Sequence, residues 1–137
     1  MNSAIARQML DRAARWLQGA ERALEDNRWD DVVYCAQMGV EISVKSVLLS
    51  IGIDYPKGHD VSDVFLQLVD KEKVPAWFRK EAPKIADVVA KLAEQRGLAG
   101  YGFEQGVTAE YFRGYAPEAL RSVKKVHSDC KKLLLGK

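Results

Sequence analysis

The stretch WDDVVYCAQMGVEISVKSVLLSIG, residues 29–52, limits what this chain can fold into. Val33, Ala36, Val40, Val44, Val47 and Ile51 recur three or four residues apart, the spacing of one helical face. Cys35, Met38, Ile42 and Leu49 fill a second face. A helix apolar over most of its circumference belongs inside a bundle, not on its surface. Gly39, Ser43, Ser46 and Ser50 form a row of small residues that lets a neighbouring helix come close. Gln37, Glu41 and Lys45 stack as a polar row, with Glu41 on the favourable N-terminal side of Lys45. That row faces either solvent or a polar seam between helices.

The rest of the chain reads as packing around this helix. At 137 residues it forms one domain, 1–137, with enough chain for a core. A first helix is expected from Ser3 to about Glu25, capped by Asn2 or Ser3. Its apolar stripe is Ile5, Met9, Ala13, Trp16, Leu17, Ala20, Ala23 and Leu24. The DNRWD turn is short, so the first two helices should be antiparallel neighbours, with Asp26 or Asn27 capping the second. IDYPKGHD reads as a loop. Asp60 then opens a shorter helix carrying Val61, Val64, Phe65, Leu68 and Val69. Pro75 restarts helix, and Pro83 should break it near residues 80–82. Ile85, Val88, Val89 and Leu92 mark the next helix, ending at Arg96.

Residues 97–107 (GLAGYGFEQGV) read as one long irregular segment, whose aromatics point mildly to function. Its glycines follow a helix rather than a strand and do not make a phosphate-binding fingerprint. Thr108 opens a single turn to Phe112. Ala116, Pro117 and Glu118 begin a last helix with Leu120, Val123, Val126 or His127, Cys130, Leu133 and Leu134 apolar. The fold class is all-α: an up-and-down bundle of four main helices plus a short one.

A net charge of +2 is too small to argue for nucleic acid on electrostatics alone. The arginines of the first helix and lysines of the last read as solvated faces. The two cysteines, Cys35 and Cys130, sit at apolar helical positions with no CxxC or Cys/His cluster, which implies reduced thiols and no metal site. No cofactor is called for. No apolar run reaches membrane-spanning length and no signal-peptide pattern opens the chain, so a cytoplasmic protein with no membrane partner is expected.

Ala36, Gln37, Glu41 and Lys45 spell A-Q-x-x-x-E-x-x-x-K, followed by a leucine pair and Gly52. A loop ending Gly58-His59-Asp60 leads to a short amphipathic helix. A long helix ends at Arg96, Tyr101 lies in the loop after it, and a final helix closes the chain. Together these pieces resemble the HEPN domain (higher eukaryotes and prokaryotes nucleotide-binding), most of all its small stand-alone prokaryotic members. The resemblance implies a helical homodimer, often acting as toxin–antitoxin partner of a minimal nucleotidyltransferase, with RNA or a nucleotide as ligand. It also implies a metal-independent ribonuclease in an active subset, whose signature is an Arg and a His with four to six residues between them.

Arg121 and His127 meet that spacing. The chemistry suits RNA cleavage, with His as acid or base near neutral pH and Arg as the cation for phosphate. Against it, six residues turn a helix by about 240°, so one protomer does not bring the two face to face. A His at the edge of an apolar stripe is also usually structural. Glu41 and Lys45 either line a ligand seam or form an intrahelical pair, the plainer reading. His59 packs or hydrogen-bonds at the start of the third helix, or helps hold phosphate there. Arg96 and Tyr101 can hold a nucleotide by stacking or simply anchor a loop, and Arg113 with Tyr115 repeats the pairing. Trp16, Trp29, Trp77, Tyr111 and Phe112 exceed what thin helices bury easily, which predicts an interface. Three readings follow: a nucleotidyltransferase partner, a ribonuclease using Arg121 and His127, or an interaction module without a nucleotide site.

Overall fold

The computed structural model describes residues 3–55, 57–71 and 74–136. Five α-helices follow in order: α1 (Ser3–Glu25), α2 (Trp29–Ser50), α3 (Ser62–Lys71), α4 (Ala76–Tyr101) and α5 (Ala116–Leu135). Two 3-10 turns, Gly102–Gln105 and Ala109–Phe112, join α4 to α5, and no strand occurs among the described residues. The expected all-α bundle of four long helices and a short one is the fold. The capping expected at Asn2 or Ser3 and the Leu68 side chain lie outside what is described.

α2 is the hub. It packs against all four other α-helices, most extensively α1 and then α5. Val33, Ala36, Val40, Val44 and Val47 are buried, as their spacing requires, while Cys35, Met38, Ile42 and Leu49 are half-buried. By length and composition alone α2 could cross a membrane, contrary to the expectation that no segment would qualify; 72% of its apolar window is buried inside the bundle. Gly39 is where three helices converge. A Cβ there would lie 2.7 Å from Val123 Cγ2 of α5 and 3.5 Å from the Ala13 carbonyl of α1. A larger residue would push α5 off the hub.

Four local expectations are corrected. In α1 the buried face is Ala6, Leu10, Ala13, Ala20 and Ala23, whereas Ile5 is 45% exposed and Met9 half-buried. Helical drift moves the seam by one position near the N-terminus. Neither Asp26 nor Asn27 caps α2; Arg28 holds the cap position without a side-chain bond. Asn27 instead takes the left-handed conformation (φ 59°) that turns the chain, while Asp30 and Asp31 favour the helix N-terminus by charge. Pro83 does not break the chain, since α4 runs through it. Phe78 and Ala82 before it and Ile85 and Ala86 after it are all buried on one side, and that shared burial offsets the lost backbone bond. Last, residues 97–101 are the end of α4 rather than loop. Gly100 lets Tyr34 pack closely there: a Cβ would meet the Tyr34 ring at 3.0 Å, so the ring would have to give way.

α3 is fixed at its start by Asp60, whose Oδ1 accepts from the Ser62 backbone N–H (3.0 Å) and hydroxyl (2.6 Å). Its core contact is Phe65, edge-on to Phe78 of α4 at 5.9 Å. Both thiols are free, Cys130 wholly buried and Cys35 half-buried, and burial pushes both up in pKa. That keeps them as unreactive thiols.

Candidate functional site

The polar row of α2 is a buried seam. Gln37, Glu41 and Lys45 are 2%, 6% and 8% exposed. Glu41 stands at its centre. Lys45 Nζ donates to Oε2 (2.9 Å) and Gln37 Nε2 to Oε1 (2.8 Å). His59 Nδ1, from the loop before α3, meets the same Oε1 at 2.7 Å. Lys45 also lies 5.2 Å from the Tyr55 ring. Burial raises the Glu41 carboxyl, but the bonds from Gln37, Lys45 and His59 outweigh it and hold the pKa below the ordinary carboxylate value. Three side chains thus converge on one buried anion: the i,i+4 spacing of α2 brings Gln37 and Lys45, and the loop before α3 brings His59. The Gln37 Oε1 atom and the Ser43 hydroxyl of the same helix are buried without a hydrogen-bond partner.

The structure does not bring Arg121 and His127 together. Exposed Arg121 lines a groove of about 360 Å³ between α4 and α5, with Lys84, Ser122, Lys125 and Asp129. Half-buried His127 faces the other way, onto α1, and its Nε2 donates to the Leu10 carbonyl at 3.1 Å. It lines two hollows along α1, of about 140 and 410 Å³, which also carry Arg7, Arg15 and Lys131. The 240° turn between positions 121 and 127 is what separates them, by about two-thirds of a full rotation.

Arg96 engages neither Tyr101 nor the loop. Its Nη2 donates to the Tyr34 hydroxyl (3.0 Å), with the guanidinium 5.0 Å from that ring. Tyr34, 62 residues away in sequence, carried no signal of this partnership. Tyr101 is 60% exposed and lines a shallow hollow with Asp30, Asp31 and Tyr34. Arg113 caps Trp29 and pairs with Glu110, while Tyr115 packs under Lys91 and burial pushes its hydroxyl up to about 12. The other two tryptophans are likewise covered by cations, Trp16 by Arg12 and Trp77 by Lys132. Phe112 is buried, and Tyr111 is 62% exposed.

Residues 6–133 match the HEPN domain family. A protein of Methanocaldococcus jannaschii described as "Putative toxin MJ1304" is 28% identical over 130 residues, covering 91% of this chain and 85% of the relative. The crystal structure of TT1696 from Thermus thermophilus superposes with a TM-score of 0.69 at 23% identity, over 96% of this chain and 98% of that one, and shares the fold. With the seam-bearing central helix and the short third helix in place, the chain belongs to the HEPN domain family.

Proposed function

We propose that the chain is the HEPN component of a toxin–antitoxin-like pair, a cytoplasmic homodimer that works as the nucleotide- or RNA-associated partner of a minimal nucleotidyltransferase. The observation that carries this reading is the likeness, along 91% of the chain, to a relative described as a "Putative toxin". The surface supports the need for a partner. Among the described residues, three of the five exposed large apolar side chains, Tyr101, Phe103 and Tyr111, fall within eleven residues, from the last residue of α4 into the segment before α5. Such concentration of exposed aromatics suits a docking face. Asp30 and Asp31 line the hollow beside Tyr101, and Glu104 and Glu110 stand in the two 3-10 turns that carry Phe103 and Tyr111. Asp31 and Glu110 are paired with Arg28 and Arg113, so the acidity of that face rests on Asp30 and Glu104, which suits a protein better than a polyanion.

Expression of the chain alone is expected to arrest growth, and co-expression of its proposed partner, a minimal nucleotidyltransferase, to relieve the arrest. Unimpaired growth with the chain alone overturns the reading. An arrest that Arg121→Ala and His127→Ala each abolish transfers the case to a ribonuclease assembled from both protomers. For a module without a nucleotide site, no nucleotide raises the melting temperature.

A further inference from the structure

α4 and α5 meet only lightly, and a groove of about 360 Å³ runs between them. Small ligands fill spaces of about 300–1,000 Å³. The floor is apolar: Ile85 and Val126 are each 2% exposed, and half-buried Val88 lies beside them. The two helices run antiparallel along it, since Lys125 of α5 feels the charge of Glu81, and Glu118 pairs with Lys91 at 3.5 Å.

The two ends of the groove differ in charge. At one end stands Asp129, 6% exposed. Lys125 Nζ donates to its Oδ1 at 3.0 Å, while Oδ2 is buried without a hydrogen-bond partner. Glu81 lies at the same end, so two carboxylates share the one ammonium of Lys125. A buried carboxylate oxygen without a donor is unfavourable, and a cation that enters the groove supplies the donor. Further along, Arg121 and Lys84 are exposed and make no ion pair among the described residues. They present two uncommitted cations to an anion. Positions 121 and 129 stand about 12 Å apart along the α5 axis. A peptide of three extended residues spans about 10 Å, and the side chains that grip it close the difference.

We infer that the groove binds a short apolar peptide with both ends free, about three residues long. Its ammonium donates to Asp129 Oδ2, and its carboxylate accepts from the Arg121 guanidinium in a bidentate pair. Its side chains lie on Ile85, Val88 and Val126. Ser122, half-buried between the two ends, brings a hydroxyl to the peptide backbone. A nucleotide would meet Arg121 with its phosphate but brings no cation to the acidic end.

The test titrates the tripeptide Ala-Leu-Ala into the isotope-labelled full chain, as wild type, Asp129→Asn, Arg121→Gln and Val88→Arg, each first shown to melt cooperatively. Amide shifts on NMR should concentrate on the groove-lining turns of α4 and α5 and saturate below about 5 mM. Acetylating the peptide's amine or amidating its carboxylate should each weaken binding to wild type by about ten- to a hundredfold, the worth of one charged hydrogen bond. Asp129→Asn should take the free and acetylated peptides alike, Arg121→Gln the free and amidated peptides alike, and Val88→Arg neither. No shift at that concentration, shifts confined to other faces, or equal affinity of wild type for all three peptides overturns the inference. So does adenosine monophosphate binding the groove where the peptide does not. A second copy of the chain filling the groove would show as a dimer that Val88→Arg splits and a wild type that takes no peptide, which overturns it too. Should Asp129→Asn fail to fold, the modified peptides on wild type and Arg121→Gln decide. The growth and co-expression outcomes do not depend on this site, so the two claims fall separately.

Discussion

Replacing Glu41 with Ala is expected to lower the melting temperature by about 10–15 °C. Both charged side chains of the Glu41–Lys45 pair are at most 10% exposed. Removing the anion strands the ammonium of Lys45 in the core, and breaking one side of a buried pair costs about 3–5 kcal/mol. The cost comes from the orphaned charge, so the double change Glu41→Leu, Lys45→Met should recover most of the loss. A melt of the three proteins at neutral pH decides it. A double variant as unstable as the single one would mean that geometry, not charge, holds the seam. The effect also depends on pH in a fixed direction. Glu41's folded pKa lies below its ordinary value of 4.5, so its stabilisation is fully present above that value and lost as pH falls through the folded one. The gap between wild type and Glu41→Ala should therefore narrow in acid.

Phe65→Ala should cost about 3–5 kcal/mol at its site and release α3 before the rest of the bundle. Phe65 is fully buried and meets Phe78 edge to face. α3 has ten residues and leans mainly on α4, with only a light contact to α2. Amide hydrogen exchange should quicken throughout α3 while α1, α2 and α5 keep their protection. Uniform quickening across all helices would show that α3 belongs to one cooperative core. Because the loop carrying His59 runs directly into α3, the same variant should loosen the Glu41–His59 contact.

The bundle was legible because its signals are local. The valine spacing of α2, the short turn after α1 and the Asp60 start of α3 each act within a few residues. The errors arose where tertiary packing overrode a local rule. Pro83 sits in an unbroken helix because both flanking turns are buried on the same side, and Gly100 lies in the helix where Tyr34 packs close to its backbone. The site was half legible. Glu41 and Lys45 were visible as an i,i+4 pair, but their burial depends on the other helices. The Glu41–His59 and Arg96–Tyr34 contacts span 18 and 62 residues, and no periodicity encodes them. Arg121 and His127 show the reverse case: their spacing fits a signature, and the turn of the helix points them apart.

The most direct test of the proposed function is light scattering of the purified chain mixed with a minimal nucleotidyltransferase of the kind proposed as its partner, at micromolar concentration. The account predicts a single species heavier than either protein, built on a dimer of this chain and weakened when Phe103 and Tyr111 are changed to Ser. Two separate peaks, with this chain running as a monomer, would contradict it.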